Sequence, residues 1–192
     1  MSAVLAPPSS AALQLMTADE FLRLHGDDTG IELIDGHPVR LPMPGFQHAE
    51  VCGNAYHHLR AFVKGNNLGR VFSNDPFIRT RSNPDGFRGA DVVYISYDTL
   101  PANQPTPVGT FTPPLELVVE VRSPSDSMSE MTAKAAEYLA AKVAVVLILD
   151  PESSSAEVHR ASSPVERFST PDTLTLPDVL PGFAVPVAAF FE

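Results

Sequence analysis

The segment Val143 to Leu149, VAVVLIL, constrains this chain more than any other stretch. It has no polar face, and four of its seven residues are β-branched. A strand without a polar face must be covered on both sides, which places it in the middle of a sheet with a layer above and a layer below. It is also far too short to cross a bilayer, which takes about 20 apolar residues. The chain before it supplies one cover. Ser125 to Lys142 carries Met131, Ala135, Tyr138 and Leu139 at helical spacing, with Ser125 expected as its cap. Before that helix, Leu115 to Arg122 (LELVVEVR) reads as another strand.

The remaining elements extend this α/β core. Thr17-Ala18-Asp19-Glu20 has the form of a capping box opening a short helix through Leu24. Ile31 to Ile34 reads as a strand, and Asp35-Gly36 turns it into a hairpin with His37 to Leu41. A helix is expected from His48 to Lys64 on Val51, Ala55 and Leu59. One strand is expected over Arg70 to Arg81, broken by Asn83-Pro84-Asp85-Gly86, and another over Asp91 to Ser96. Asp98 to Pro114 contains five prolines and reads as an open loop. Beyond the central strand, Ala156 to Arg160 and Val165 to Phe168 read as shorter, more polar strands. Residues 1–14, rich in Ala, Ser and Pro, read as a flexible tail before one domain over 15–192.

Two acids stand out against this pattern. Asp91 opens an apolar strand, and Glu120 lies between Val119 and Val121 inside another. A buried carboxylate is costly unless it is paired, protonated or bound to a metal. Two carboxylates converging from different strands can hold Mg²⁺, which prefers oxygen ligands. Such an ion activates water and neutralises charge on a phosphodiester. By strand periodicity Arg122 should lie beside Glu120 on the same face. The bland alternatives stay open: Asp91 as a strand-end cap, and Glu120 in a buried ion pair with Arg122 or Lys134.

The segments Glu32-Leu33-Ile34-Asp35-Gly36, His48 at a helix start, Arg88-Gly89-Ala90-Asp91-Val92, Leu117 to Ser125 (LVVEVRSPS), Lys134 with Tyr138, and Leu149-Asp150-Pro151 together resemble the Uma2 family, in its order and over about residues 17 to 192. The resemblance implies a restriction-endonuclease-like (PD-(D/E)XK) fold: an αβββαβ core, a mixed sheet flanked by helices, an added N-terminal hairpin and added C-terminal strands. It implies a DNA-hydrolysing nuclease using Mg²⁺ or Mn²⁺, with Asp91, Glu120 and Glu32 as metal ligands. Arg122 stands where the family's strand lysine is expected, and Lys134 in the following helix matches the family's helical lysine. Catalytic roles therefore fall to Glu32, Asp91, Glu120 and Lys134, and substrate contacts to Arg122, Tyr138 and His48. Taken alone, His48 is a polar cap or packing residue and Cys52 a core residue.

Charge and composition bound the partners. Thirteen Lys plus Arg face 23 Asp plus Glu, a net charge of −10, so unaided grip on duplex DNA is weak and an acidic site needs cations before it accepts phosphate. The alternatives to a DNA nuclease are a non-catalytic interaction or dimerisation module on the same fold, and a phosphodiesterase for another substrate. The single cysteine excludes an intrachain disulfide and suits a reducing cytoplasm. A homodimer is expected from apolar surface at Phe190-Phe191. No Gly-x-Ser-x-Gly elbow, P-loop or paired-Cys motif is present, so triad, nucleotide-binding and zinc readings lack sequence support.

Overall fold

The computed structural model describes residues 15–192; the expected tail over 1–14 lies outside them. The apolar strand is β8 (Val143–Asp150), and it sits where its composition demands, between β7 (Leu115–Val121) and β9 (Ser155–Arg160). The sheet has six strands in the order β10 (Ser163–Ser169), β9, β8, β7, β6 (Val92–Ser96) and β3 (Gly69–Ser73). Only β7 and β8 run parallel. Helix α3 (Met128–Ala140) makes the crossover between them, and antiparallel pairs complete the mixed sheet.

Alternation along the strands divides the core. Leu117, Val119 and Val121 of β7 and Val145, Leu147 and Leu149 of β8 pack under helix α2 (Phe46–Gly65), the hairpin β11–β12 (Thr173–Leu176, Leu180–Pro186) and a closing 3-10 helix, Val187–Phe190. Val118, Val146 and Ile148 face the other way, against Met131, Ala135 and Tyr138 of α3. Taken in chain order, α2, β3, β6, β7, α3 and β8 form the expected αβββαβ core.

A second sheet stands beside this one. It has four antiparallel strands in the order β2 (His37–Arg40), β1 (Ile31–Ile34), β5 (Asp85–Gly89) and β4 (Phe77–Ser82), closed by helix α1 (Ala18–His25) over Phe21, Phe77 and Phe87. The Thr17–Glu20 capping box is present in full. The β1–β2 turn has positive φ at both Asp35 and Gly36, the conformation that makes Asp-Gly a hairpin signal.

Four expectations are corrected. The single strand over Arg70 to Arg81 is two, β3 and β4, in different sheets; Asn74 and Asp75 both take positive φ and break the chain before Pro76. Asp85 to Gly89 is itself a strand, β5. Helix α3 is capped by Ser127, in a capping box with Glu130, not by Ser125; Ser123 to Asp126 form the preceding turn, with the Asp126 carboxylate accepting from the Ser123 N–H at 3.0 Å. Phe190 is fully buried beneath His58 and so contributes no apolar surface for dimerisation.

Candidate active site

The two sheets meet at a cleft of about 530 Å³, at the carboxyl end of β7. One step beyond the last β6–β7 pair, Val92 with Val119, Asp91 stands across from Glu120. The second sheet brings Glu32 from β1 and Arg88 from β5, and the helices bring His48 and Lys134. Thus Glu32, His48, Asp91, Glu120 and Lys134, far apart in the chain, line one cleft.

Lys134 is its electrostatic centre. Its ammonium donates to Glu120 Oε2 at 2.9 Å, lies 3.1 Å from Glu32 Oε1, and reaches the Gly89 carbonyl at 3.4 Å. Burial works against its charge, but the Glu120 and Glu32 carboxylates outweigh that and hold its pKa above the ordinary lysine value. Lys134 therefore stays protonated and is no proton acceptor. Glu32, buried, also accepts from Arg88 at 2.7 Å and from the Gly89 N–H at 3.2 Å. Arg88 continues the network to Glu137 at 2.5 Å, and Thr80 donates to the other Glu137 oxygen. The buried ion pair of Glu120 with Lys134 is thus present; the pairing with Arg122 is not.

Arg122 follows the end of β7 and turns away from Glu120. It donates to Asp150 at 2.7 Å and also pairs with Glu152, while its other nitrogen holds the Asp126 carbonyl at 3.0 Å. The strand periodicity that put it beside Glu120 fails because β7 stops at Val121. Tyr138 is fully buried and donates its hydroxyl to Glu120 Oε1 at 2.7 Å, which fixes the orientation of that carboxylate.

Asp91 is held on the side of α2. Its Oδ2 accepts the Val121 N–H at 2.7 Å and lies 3.4 Å from His48 Nε2. Burial lowers the His48 pKa, but the hydrogen bond and charge of Asp91 prevail and raise it. Cys52, one turn along from His48, places its sulfur 3.4 Å from Nδ1. Burial, then the charge of Asp91, keeps this thiol protonated far above its ordinary range. Asp75 also lines the cleft, with its pKa raised by burial and by Asp91.

Sequence reasoning missed Cys52, Asp75, Arg88 and Glu137 as members of this cluster. Cys52 was legible in principle, since residues four apart share a helix face with His48. Asp75 was hidden inside an expected strand, and Arg88 and Glu137 meet only through the second sheet.

The Glu120 environment gives a testable sign. Burial raises its pKa, the Lys134 charge opposes, and Asp91 raises it further, to about 7 from 4.5. The folded state then binds more protons than the unfolded state between these values, so stability falls as pH rises through that window. Relative to Glu120→Gln, which cannot ionise, the wild type should lose at most about 3 kcal/mol between pH 4.5 and pH 7, at about 1.36 kcal/mol per unit. Urea unfolding of both proteins across this range checks it; a constant difference would refute the assignment.

Residues 18–188 match the Uma2 family, described as "putative restriction endonuclease", and the chain belongs to that family. A crystal structure from Anabaena variabilis, described as a "putative nuclease belonging to DUF820", superposes with a TM-score of 0.79 over 92% of this chain and 97% of its own, at 21% identity. That likeness establishes the restriction-endonuclease-like fold. Among curated proteins none matches significantly. No helix among the described residues is long and apolar enough to cross a membrane.

Proposed function

We propose that the chain is a divalent-metal-dependent endonuclease of the PD-(D/E)XK type that hydrolyses DNA phosphodiesters. The observation that supports this most is the convergence of Asp91, Glu120 and Glu32 on one cleft, with Lys134 held between Glu120 and Glu32. The three carboxylates are hard oxygen donors and suit Mg²⁺ or Mn²⁺. When bound, such an ion supplies an activated water and offsets phosphate charge. Tyr138 and the Val121 N–H fix the orientations of Glu120 and Asp91. Lys134, permanently charged, orients water or stabilises charge that develops on phosphate. His48 lines the cleft, and in this reading it contacts substrate. The role carried over to Arg122 becomes one of holding the β7 terminus through Asp150, with substrate contact secondary.

We extend the reading to a homodimer working in a reducing cytoplasm; exposed Met43 and Phe46, at the rim of the cleft beside Pro42 and Pro44, offer the apolar surface that Phe190 does not. One observation favours a non-catalytic module instead: the Lys134 ammonium already neutralises Glu120 and Glu32, so the fold does not need a metal ion there.

The test is nicking of supercoiled plasmid. Cleavage should require Mg²⁺ or Mn²⁺, stop on chelation, and vanish in Asp91→Asn. Folded protein that leaves plasmid and linear duplex intact with both metals would overturn the nuclease reading in favour of the module.

A further inference from the structure

We propose that His48, Cys52 and Asp91 form a distinct site for a borderline-soft divalent cation such as Zn²⁺, sharing Asp91 with the carboxylate cluster. His48 and Cys52 lie one turn apart on α2 and present an imidazole and a thiol on the same face. Asp91 meets them from the sheet. His48 Nε2 lies 3.4 Å from Asp91 Oδ2 and 4.0 Å from Cys52 Sγ, and all three donors fall within 4.8 Å of one another. A tetrahedral Zn²⁺ with bonds of about 2.0–2.3 Å keeps its donors roughly 3.3–3.8 Å apart. Small side-chain adjustments therefore suffice.

The donor set is chemically different from the one above it. Nitrogen, sulfur and one carboxylate oxygen suit Zn²⁺ or Co²⁺, whereas Mg²⁺ has little use for a thiol. Three protein ligands leave a fourth position toward the cleft, which His48 and Asp91 both line. The surroundings are pre-ordered: the Val121 N–H holds Asp91 at 2.7 Å, and the His48 and Asp91 side chains are only 12% and 13% exposed. On binding, the thiol proton leaves to solvent, sulfur coordinates as thiolate, and His48 binds as neutral imidazole through its Nε2 lone pair. Because Asp91 serves both sets, a soft ion here withdraws it from a hard one. That last consequence alone rests on the nuclease reading.

Titrating Co²⁺ into the metal-free full chain tests the site without DNA. A thiolate-to-cobalt charge-transfer band should grow to one equivalent and fade when Zn²⁺ displaces Co²⁺. Cys52→Ser should lose the band and weaken Co²⁺ binding roughly 10²-fold or more, at the upper end of what removing even an outer partner costs. Glu120→Gln, confirmed folded by circular dichroism, should keep it. Folded wild type without the band, a band surviving in Cys52→Ser, or one lost in folded Glu120→Gln would each overturn the assignment. If plasmid is cleaved with Mg²⁺, Zn²⁺ should suppress cleavage more in wild type than in Cys52→Ser. Equal suppression would refute the sharing of Asp91.

Discussion

Replacing Lys134 by methionine should reduce turnover by roughly 10² or more, the usual loss when a positioned electrostatic group is removed. Methionine keeps much of the apolar stem, so packing between α3 and the sheet changes little. What disappears is the charge 2.9 Å from Glu120 and 3.1 Å from Glu32. Both carboxylates are then freer to hold a cation, so metal affinity should hold or rise while kcat falls. Calorimetric titration of Mn²⁺ beside plasmid-cleavage kinetics separates the two effects. Arg122→Ala is the informative comparison, because Arg122 is engaged by Asp150 and Glu152. Turnover that survives in Lys134→Met and is abolished in Arg122→Ala would show that the lysine has been placed wrongly.

The largest effect on stability should come from Arg88→Met. Arg88 is the shared partner of Glu32 and Glu137, at 2.7 and 2.5 Å, and its side chain is only 14% exposed. Burial opposes its charge, but Glu137 and Glu32 more than restore it. Removing one partner from such a pair leaves an uncompensated buried charge, at a cost of about 3–5 kcal/mol. Lys134 still faces Glu32 in the variant, but nothing on β5 faces Glu137. Chemical unfolding reads the loss directly, and adding Glu137→Gln to Arg88→Met should recover part of it. A loss below about 1 kcal/mol would mean that water solvates Glu137 once Arg88 is gone.

Much of this fold could be read from the chain because its local rules agree with its packing. VAVVLIL is central, the Thr17 and Asp35-Gly36 signals act as expected, and the helix–strand order of the core holds. Asp91 and Glu120 stood out for the same reason, since an acid in an apolar strand needs an explanation, whereas Glu32 was reached only through the family resemblance. What local rules could not supply was which strands share a sheet. The Asn74-Asp75 break sends β4 away from β3, and only that departure brings Arg88 to Glu137 and forms the second wall of the cleft. Arg122 failed for a smaller reason, since period-two reasoning holds only while the strand lasts.

The placement of Lys134 between acids from two sheets bears on how such a chain can change over time. Glu32, Arg88, Glu120 and Lys134 neutralise one another in the interior, so losing any one of them alone costs stability whether or not the protein cuts anything. A lineage that gave up cleavage would still be under pressure to keep the four together. Asp91 answers to fewer structural demands, chiefly a backbone N–H and His48, and an asparagine could keep the first of these. In such a lineage Asp91 and His48 are the positions where drift should begin, and their retention says more about chemistry than that of the buried quartet.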